Sequence, residues 1–135
     1  MNAKPFLDTN ILVYAFKTGD PRSAIAEKLL GDGGIVSVQV LNEFVSVSRR
    51  KLRFEWPKVE SALGALQTIL DPPIPLTLDA HESAIALARE HRLSFYDALI
   101  VAAASQAGCA VLFTEDMQDD KRVGSLMIRN PFLST

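Results

Sequence analysis

The chain has 135 residues, 48% hydrophobic and 22% charged, with a net charge of −2 and a pI near 5.6. This suits a single soluble domain spanning residues 1–135, with a real core. It excludes a protein that grips nucleic acid by bulk positive charge, but not a nuclease, because a bound metal supplies local positive charge.

PFLD reads as a first strand, and ILVYAF begins a helix after it. KTGDP is a loop. Residues 22–30 form an amphipathic helix stopped by GDGG, and IVSV is a short buried strand. Ser37 caps a helix running to about Leu52. Pro57 suits the first turn of the next helix, to about Leu70. DPPIP is a rigid connector into a strand, IPLT, and residues 79–91 are helical. Ser94 caps a further helix to about Ala107, ended by Gly108. CAVLFT is a strand, TEDMQDDKRVG an acidic loop, and SLMIRN a final edge strand. Short apolar strands alternating with helices predict an α/β fold, a mainly parallel sheet covered by helices on both faces.

Three carboxylates each stand alone in a long uncharged stretch. Asp8 is the only charge between Lys4 and Lys17, Glu43 between Asp32 and Arg49, and Asp97 between Arg92 and Glu115. Apolar neighbours imply burial, which costs an unpaired carboxylate several kcal/mol or protonates it. Parallel sheets build sites at the carboxyl ends of their strands. Asp8 ends the first strand, Glu43 lies on the helix after the second, and Thr114 and Asp116 follow CAVLF. Acids gathered there without basic partners make a site for a hard divalent cation. Each also has a plainer role. Asp8 suits a helix N-cap, Glu43 a solvated face, and Asp97 a capping box begun by Ser94. Thr9 and Asn10 can bond the same turn as Asp8, or hold its carboxylate and a metal-bound water.

Arg49, Arg50, Lys51 and Arg53 form the basic cluster. They complement a helix dipole or meet phosphate beside Glu43. Two apolar stripes on that helix, Val38/Leu41/Val45 and Val40/Phe44/Val47, need cover from the domain or from a partner. His81 and His91 lack metal-ligand spacing, and Trp56 reads as a core or interface anchor. The lone Cys109 cannot form an internal disulfide and points to the cytosol. MNAKPFLDTN lacks the apolar core of a signal peptide. The uncharged run from Ala98 to Thr114 is interrupted by SQAG and falls short of the ~20 apolar residues that a membrane span needs.

Taken in order, FLDTNILVYA, VLNEFVSV, SFYDALIVAAA and LFTEDMQDD resemble the PIN-domain ribonucleases, specifically the VapC-like toxins of type II toxin–antitoxin modules. The resemblance covers the whole chain. It implies a Mg²⁺- or Mn²⁺-dependent endoribonuclease with metal or catalytic roles for Asp8, Glu43, Asp97 and Asp116, supported by Asn10 and Thr114. It also implies a homodimer and an antitoxin whose C-terminal segment blocks the acidic cleft. One position departs from the pattern: Asp120 follows Gln118-Asp119 where many relatives have Gly.

Rival readings are weaker. An aspartyl-phosphate phosphatase wants a second Asp two residues after Asp8, where Asn10 stands. A receiver-type signalling domain wants paired acids at the first strand and a Lys after a late one. A non-catalytic binding module would not need four acids.

Overall fold

The computed structural model describes residues 3–133. Its elements run β1 (Phe6–Leu7), α1 (Thr9–Phe16), α2 (Ser23–Gly31), α3 (Val38–Arg50), α4 (Trp56–Ile69), α5 (Leu78–His91), α6 (Phe95–Gln106), β2 (Val111–Phe113), β3 (Lys121–Val123) and β4 (Leu126–Arg129). The sheet order is β1-β2-β4-β3. β1, β2 and β4 are parallel, and β3 returns antiparallel to β4. This is a three-layer α/β/α fold.

Local chemistry sets the helix starts. Ser37, Thr77 and Ser94 adopt extended backbone, and each hydroxyl accepts from the backbone N–H three residues on, 3.1–3.2 Å away. That satisfies one otherwise orphaned donor per helix. α6 is buried all round from Ala98 to Ala104. Its small side chains pack against α5, α3 and β2, so the uncharged run is a central helix leading into β2. No helix among the described residues is long and apolar enough to cross a membrane. Met1 and Asn2, part of the segment read for a leader, lie outside the described residues.

Three expectations need correction. IVSV and IPLT are not strands; they contribute single parallel bridges, Phe6↔Ile35 and Ser37↔Ile74. The first is cut short because Ser37 already caps α3. The second is hemmed in by Pro72, Pro73 and Pro75, which lack the N–H a ladder needs; only Ile74 exchanges bonds with Val36 and Val38. The acidic loop conceals β3, which pairs with β4 through a hairpin turned at Gly124, φ +60°. SLMIRN is therefore interior, and the edge belongs to β3, where Lys121 and Arg122 discourage further pairing.

Residues 34–36 run close beside β1. A Cβ on Gly34 would stand 2.9 Å from the Leu7 side chain and 3.2 Å from the Pro5 carbonyl. Gly is required there by close backbone approach. α3 packs against α1, α4 and α6, with Val40 and Phe44 buried and Leu41 against the core. The domain itself covers much of both stripes, so this helix alone does not demand a partner. Cys109 is a buried core residue, whereas Trp56 is 52% exposed rather than a core anchor.

Candidate active site

The site follows from strand register. Leu7 pairs with Phe113, so the next residues, Asp8 and Thr114, leave adjacent parallel strands at the same edge. Backbone bonds continue the ladder there, from Asp8 N–H to Phe113 O and from Thr114 N–H to Arg129 O, both 3.0 Å. The Thr114 hydroxyl donates to Asp8 Oδ2 at 2.7 Å, and the Thr9 N–H donates to Asp8 Oδ1 at 2.7 Å. Asp8 thus is the N-cap of α1 and also the buried centre of the acidic edge.

The remaining acids arrive from three other elements. Glu43 on α3 accepts from the Thr9 hydroxyl at 3.0 Å. Asp116, after β2, accepts from Asn10 Nδ2 at 3.1 Å. Asn10 Nδ2 also reaches Thr114 Oγ1, and Asn10 Oδ1 accepts from the Glu115 N–H. Neither the Thr9 nor the Asn10 side chain holds the Asp8 carboxylate; Thr114 does. Asp97 sits in the first turn of α6. Its backbone N–H bonds Ser94 Oγ, but no reciprocal bond from its carboxylate completes a capping box.

Electrostatics tie the four together. Burial pushes the Asp8 carboxyl up to about 7, against the lowering pull of Thr114 and Thr9, with Glu43 and Asp97 adding to the rise. Burial also raises Glu43, opposed by the Thr9 bond and reinforced by Asp97 and Asp116. It raises Asp97 as well, against the Ser94 bond and with help from Asp116. Among the described residues no ion pair within 4.0 Å joins any of the four to a Lys or Arg. An all-oxygen set of mutually repelling carboxylates fits a hard divalent ion in donor chemistry. As the side chains stand, no three Asp, Glu, His or Cys among the described residues are close enough to clasp one.

Asp119 and Asp120 do other work. Asp119 accepts from the Asn130 N–H at 2.7 Å, and Asp120 pairs with Arg129 at 3.0 Å. Asp120 adopts φ +62°, so it takes up the left-handed conformation that a Gly would favour. A second group escaped sequence reading. Glu115 accepts from the Tyr14 hydroxyl and from Arg22, whose guanidinium also binds Asp20 and lies 4.1 Å from the centre of the Tyr14 ring. This latch ties the loop bearing Asp116 to α1 and the start of α2. The available signal was the spacing of Asn10 and Tyr14, i and i+4 on one helix face.

The acids open onto two grooves. One, of about 420 Å³, runs from Thr9, Asn10, Glu43 and Asp116 towards Lys17, Arg50 and Lys51. The other, of about 360 Å³, is lined by Asp97, Asp116, Arg92 and Lys121 among others.

A parallel sheet with an acidic edge assembled from β1, α3, α6 and the loop after β2 defines a class. The PIN domain family model matches residues 6–123, and the chain belongs to that family. Among solved structures it is similar to Mycobacterium tuberculosis VapC20, a toxin that cleaves the sarcin–ricin loop. Identity is 25%, the TM-score 0.68, and the match covers 82% of this chain and 90% of that one. It shares its fold with a toxin–antitoxin complex from Klebsiella pneumoniae (24% identity, TM-score 0.71, 95% and 98% covered). The same holds for VapBC2 from Rickettsia felis, bound to a DNA fragment from its promoter (24%, 0.67, 93% and 96%). No curated protein matches the sequence.

Proposed function

We propose that the protein is a Mg²⁺- or Mn²⁺-dependent endoribonuclease, the toxin of a type II toxin–antitoxin pair, acting in the cytoplasm. The observation that carries this reading is the set of four carboxylates, Asp8, Glu43, Asp97 and Asp116, gathered at one sheet edge with no ion pair to a Lys or Arg among the described residues, where burial and neighbouring acids raise Asp8, Glu43 and Asp97. Membership of the PIN family and likeness to VapC20 support it.

Asp8, Asp97 and Asp116 would hold the ion, with Glu43 as a further ligand or as general base. When bound, the ion supplies an activated water and neutralises charge on the phosphate oxygens. The protein's own groups keep the acids in place. Thr114 and the Thr9 N–H fix both oxygens of Asp8, Asn10 holds Asp116, and the Thr9 hydroxyl orients Glu43. Burial raises the proton affinity of Glu43, which suits a base that takes a proton from the attacking water.

The proposed partners are the RNA substrate, a cognate antitoxin that closes the acidic cleft, and a second copy of the chain. Exposed Leu78 and Ile85 on α5 and Tyr96 on α6 supply apolar surface for assembly.

The test is cleavage of defined RNAs by purified protein with Mg²⁺, with Mn²⁺ and with EDTA. Internal cuts that need metal and vanish in EDTA are expected. Intact RNA under all three conditions would leave a non-catalytic module as the better account.

A further inference from the structure

From the grooves beside the acids we infer a binding track for single-stranded RNA, running over Arg50, Lys51, Arg53 and Lys58 to Trp56. The inference rests on the ribonuclease reading and assigns where the strand lies outside the acidic centre.

α3 carries both ends of the first groove. Glu43, Ser46, Val47 and Arg50 all line it, at the i, i+3, i+4 and i+7 positions of one helix face. The acid lies at the inner end and Arg50 about 10 Å further along the axis. Lys17, Lys51 and Leu52 also line the adjoining groove, which continues past Arg53, Phe54 and Lys58. The two grooves are therefore continuous.

The charge on this path is local. The ten residues 49–58 carry five cations against the single acid Glu55, in a chain of net charge −2. Among the described residues Arg50, Lys51, Arg53 and Lys58 enter no ion pair within 4.0 Å. Dipole compensation accounts for Arg50 and Lys51 at the end of α3 but not for Arg53 and Lys58, which lie beyond it. Arg49 donates to the Phe54 carbonyl at 3.0 Å and stacks 4.5 Å from the centre of the Trp56 ring, whose chain neighbours Glu55 and Pro57 line the second groove. Trp56, the only tryptophan, is 52% exposed. Cations without an acid partner, Lys58 resting 4.2 Å from the centre of the Phe54 ring, next to an exposed Trp are the elements of a sequence-tolerant single-strand platform, phosphates on the cations and bases on the ring.

The experiment measures binding of a short unstructured RNA to Asp97→Asn protein in Mg²⁺, where cleavage is silenced. Binding is followed by tryptophan fluorescence and by anisotropy of labelled RNA over a range of salt. Each phosphate contact on a single strand contributes about 0.7 to the slope of log affinity against log salt. Adding Arg50→Gln, Lys51→Gln and Arg53→Asn should flatten that slope by about 2 (Asn tolerates a position at φ +58°). Lys51→Gln alone should flatten it by about 0.7. Removing three cations elsewhere, with Lys28→Gln, Arg89→Gln and Arg122→Gln, should leave it nearly unchanged. RNA should also quench Trp56. An unchanged slope in a protein that binds RNA overturns the track while leaving the ribonuclease reading intact. The same holds if the triple variant loses a polyglutamate peptide but keeps RNA, since the face would then dock protein. Parent protein that neither binds nor cuts RNA overturns both.

Discussion

The Thr114 hydroxyl donates to Asp8 Oδ2 across 2.7 Å, joining the ends of two parallel strands 106 residues apart in sequence. It also accepts from Asn10 Nδ2 and from the Asp116 N–H. A hydroxyl has one proton and two lone pairs, so Thr114 is fully used, and it is wholly buried. Thr114→Val keeps the shape and removes three bonds, of which the one to Asp8 is buried and the other two part-buried, and Asn10 Nδ2 keeps its bond to Asp116. A buried polar group left unsatisfied costs ~1–3 kcal/mol, so urea denaturation should show a loss of that order. RNA cleavage should fall with it, because Asp8 and Asp116 lose their common tether. A variant with parental stability and activity would refute the hub role.

Stability without metal should fall as pH rises from 5 to 8. Asp8 is raised from 3.8 to about 7 in the fold, so the native state binds its proton more tightly than the unfolded chain. The associated stability is complete below pH 3.8 and is lost as pH climbs through about 7. Its ceiling is roughly 4 kcal/mol. Glu43 and Asp97 shift in the same direction. Asp20, held low by Arg22, titrates below this window and does not offset them. Asp8→Asn carries no titrating proton there and should flatten the dependence, leaving the smaller slope from Glu43 and Asp97. Equal slopes in the two proteins would remove Asp8 as the cause.

Mn²⁺ should raise the melting midpoint, and more at pH 8 than at pH 5. A ligand that binds only the native state stabilises by mass action, and here it competes with protons for the same oxygens. Differential scanning at both pH values checks this. A midpoint indifferent to saturating Mn²⁺ at pH 8 would count against a preformed site.

Asp120→Gly should be neutral or mildly stabilising. An L residue at φ +62° carries roughly 1 kcal/mol of strain that glycine lacks. Against this stand the freer unfolded chain and the ion pair to Arg129, whose two side chains are 64% and 50% exposed and contribute little. A clear loss of stability would mean that the Arg129 pair matters more than its exposure suggests.

Asp8, Glu43 and Asp97 were legible because charge is conspicuous in apolar sequence, and strand–helix alternation placed Asp8, Glu43 and Asp116 at one edge. Caps were equally legible, since Ser37 and Ser94 act through bonds three residues away. Sheet order was not. KRV carries two charges and reads as loop, and only its pairing with β4 makes it a strand. IPLT has strand-like residues, but flanking prolines limit it to one bridge. The Tyr14–Arg22–Glu115 latch spans 101 residues, and the i, i+4 spacing of Asn10 and Tyr14 does not by itself point to Glu115. Asp119 and Asp120 are indistinguishable by spacing; backbone bonding separates them, one receiving Asn130 and the other pairing with Arg129.

Asp97→Asn separates a metal ligand from a helix cap. If Asp97 only capped α6, losing its charge would reduce stability and spare activity. The structure gives the cap to Ser94, whose hydroxyl receives the Asp97 N–H, and a Ser94 side-chain bond also pulls the Asp97 carboxyl down, a bond that the remaining Oδ of Asn can accept. Burial and Asp116 raise the Asp97 carboxyl, so its charge opposes folding at neutral pH. The benefits of that charge are the stronger bond to Ser94 and dipole compensation at the N-terminus, the latter roughly 0.3–1 kcal/mol. Relief of repulsion and of burial cost works against their loss. Without metal at pH 8, Asp97→Asn should therefore melt within a few degrees of the parent, and no lower than those losses account for. Stabilisation by Mn²⁺ should shrink, and metal-dependent RNA cleavage should fall by orders of magnitude, because a hard cation prefers anionic oxygen to a neutral amide. Both quantities are read on one preparation. A destabilised but fully active protein would reverse the assignment and return Asp97 to a structural role.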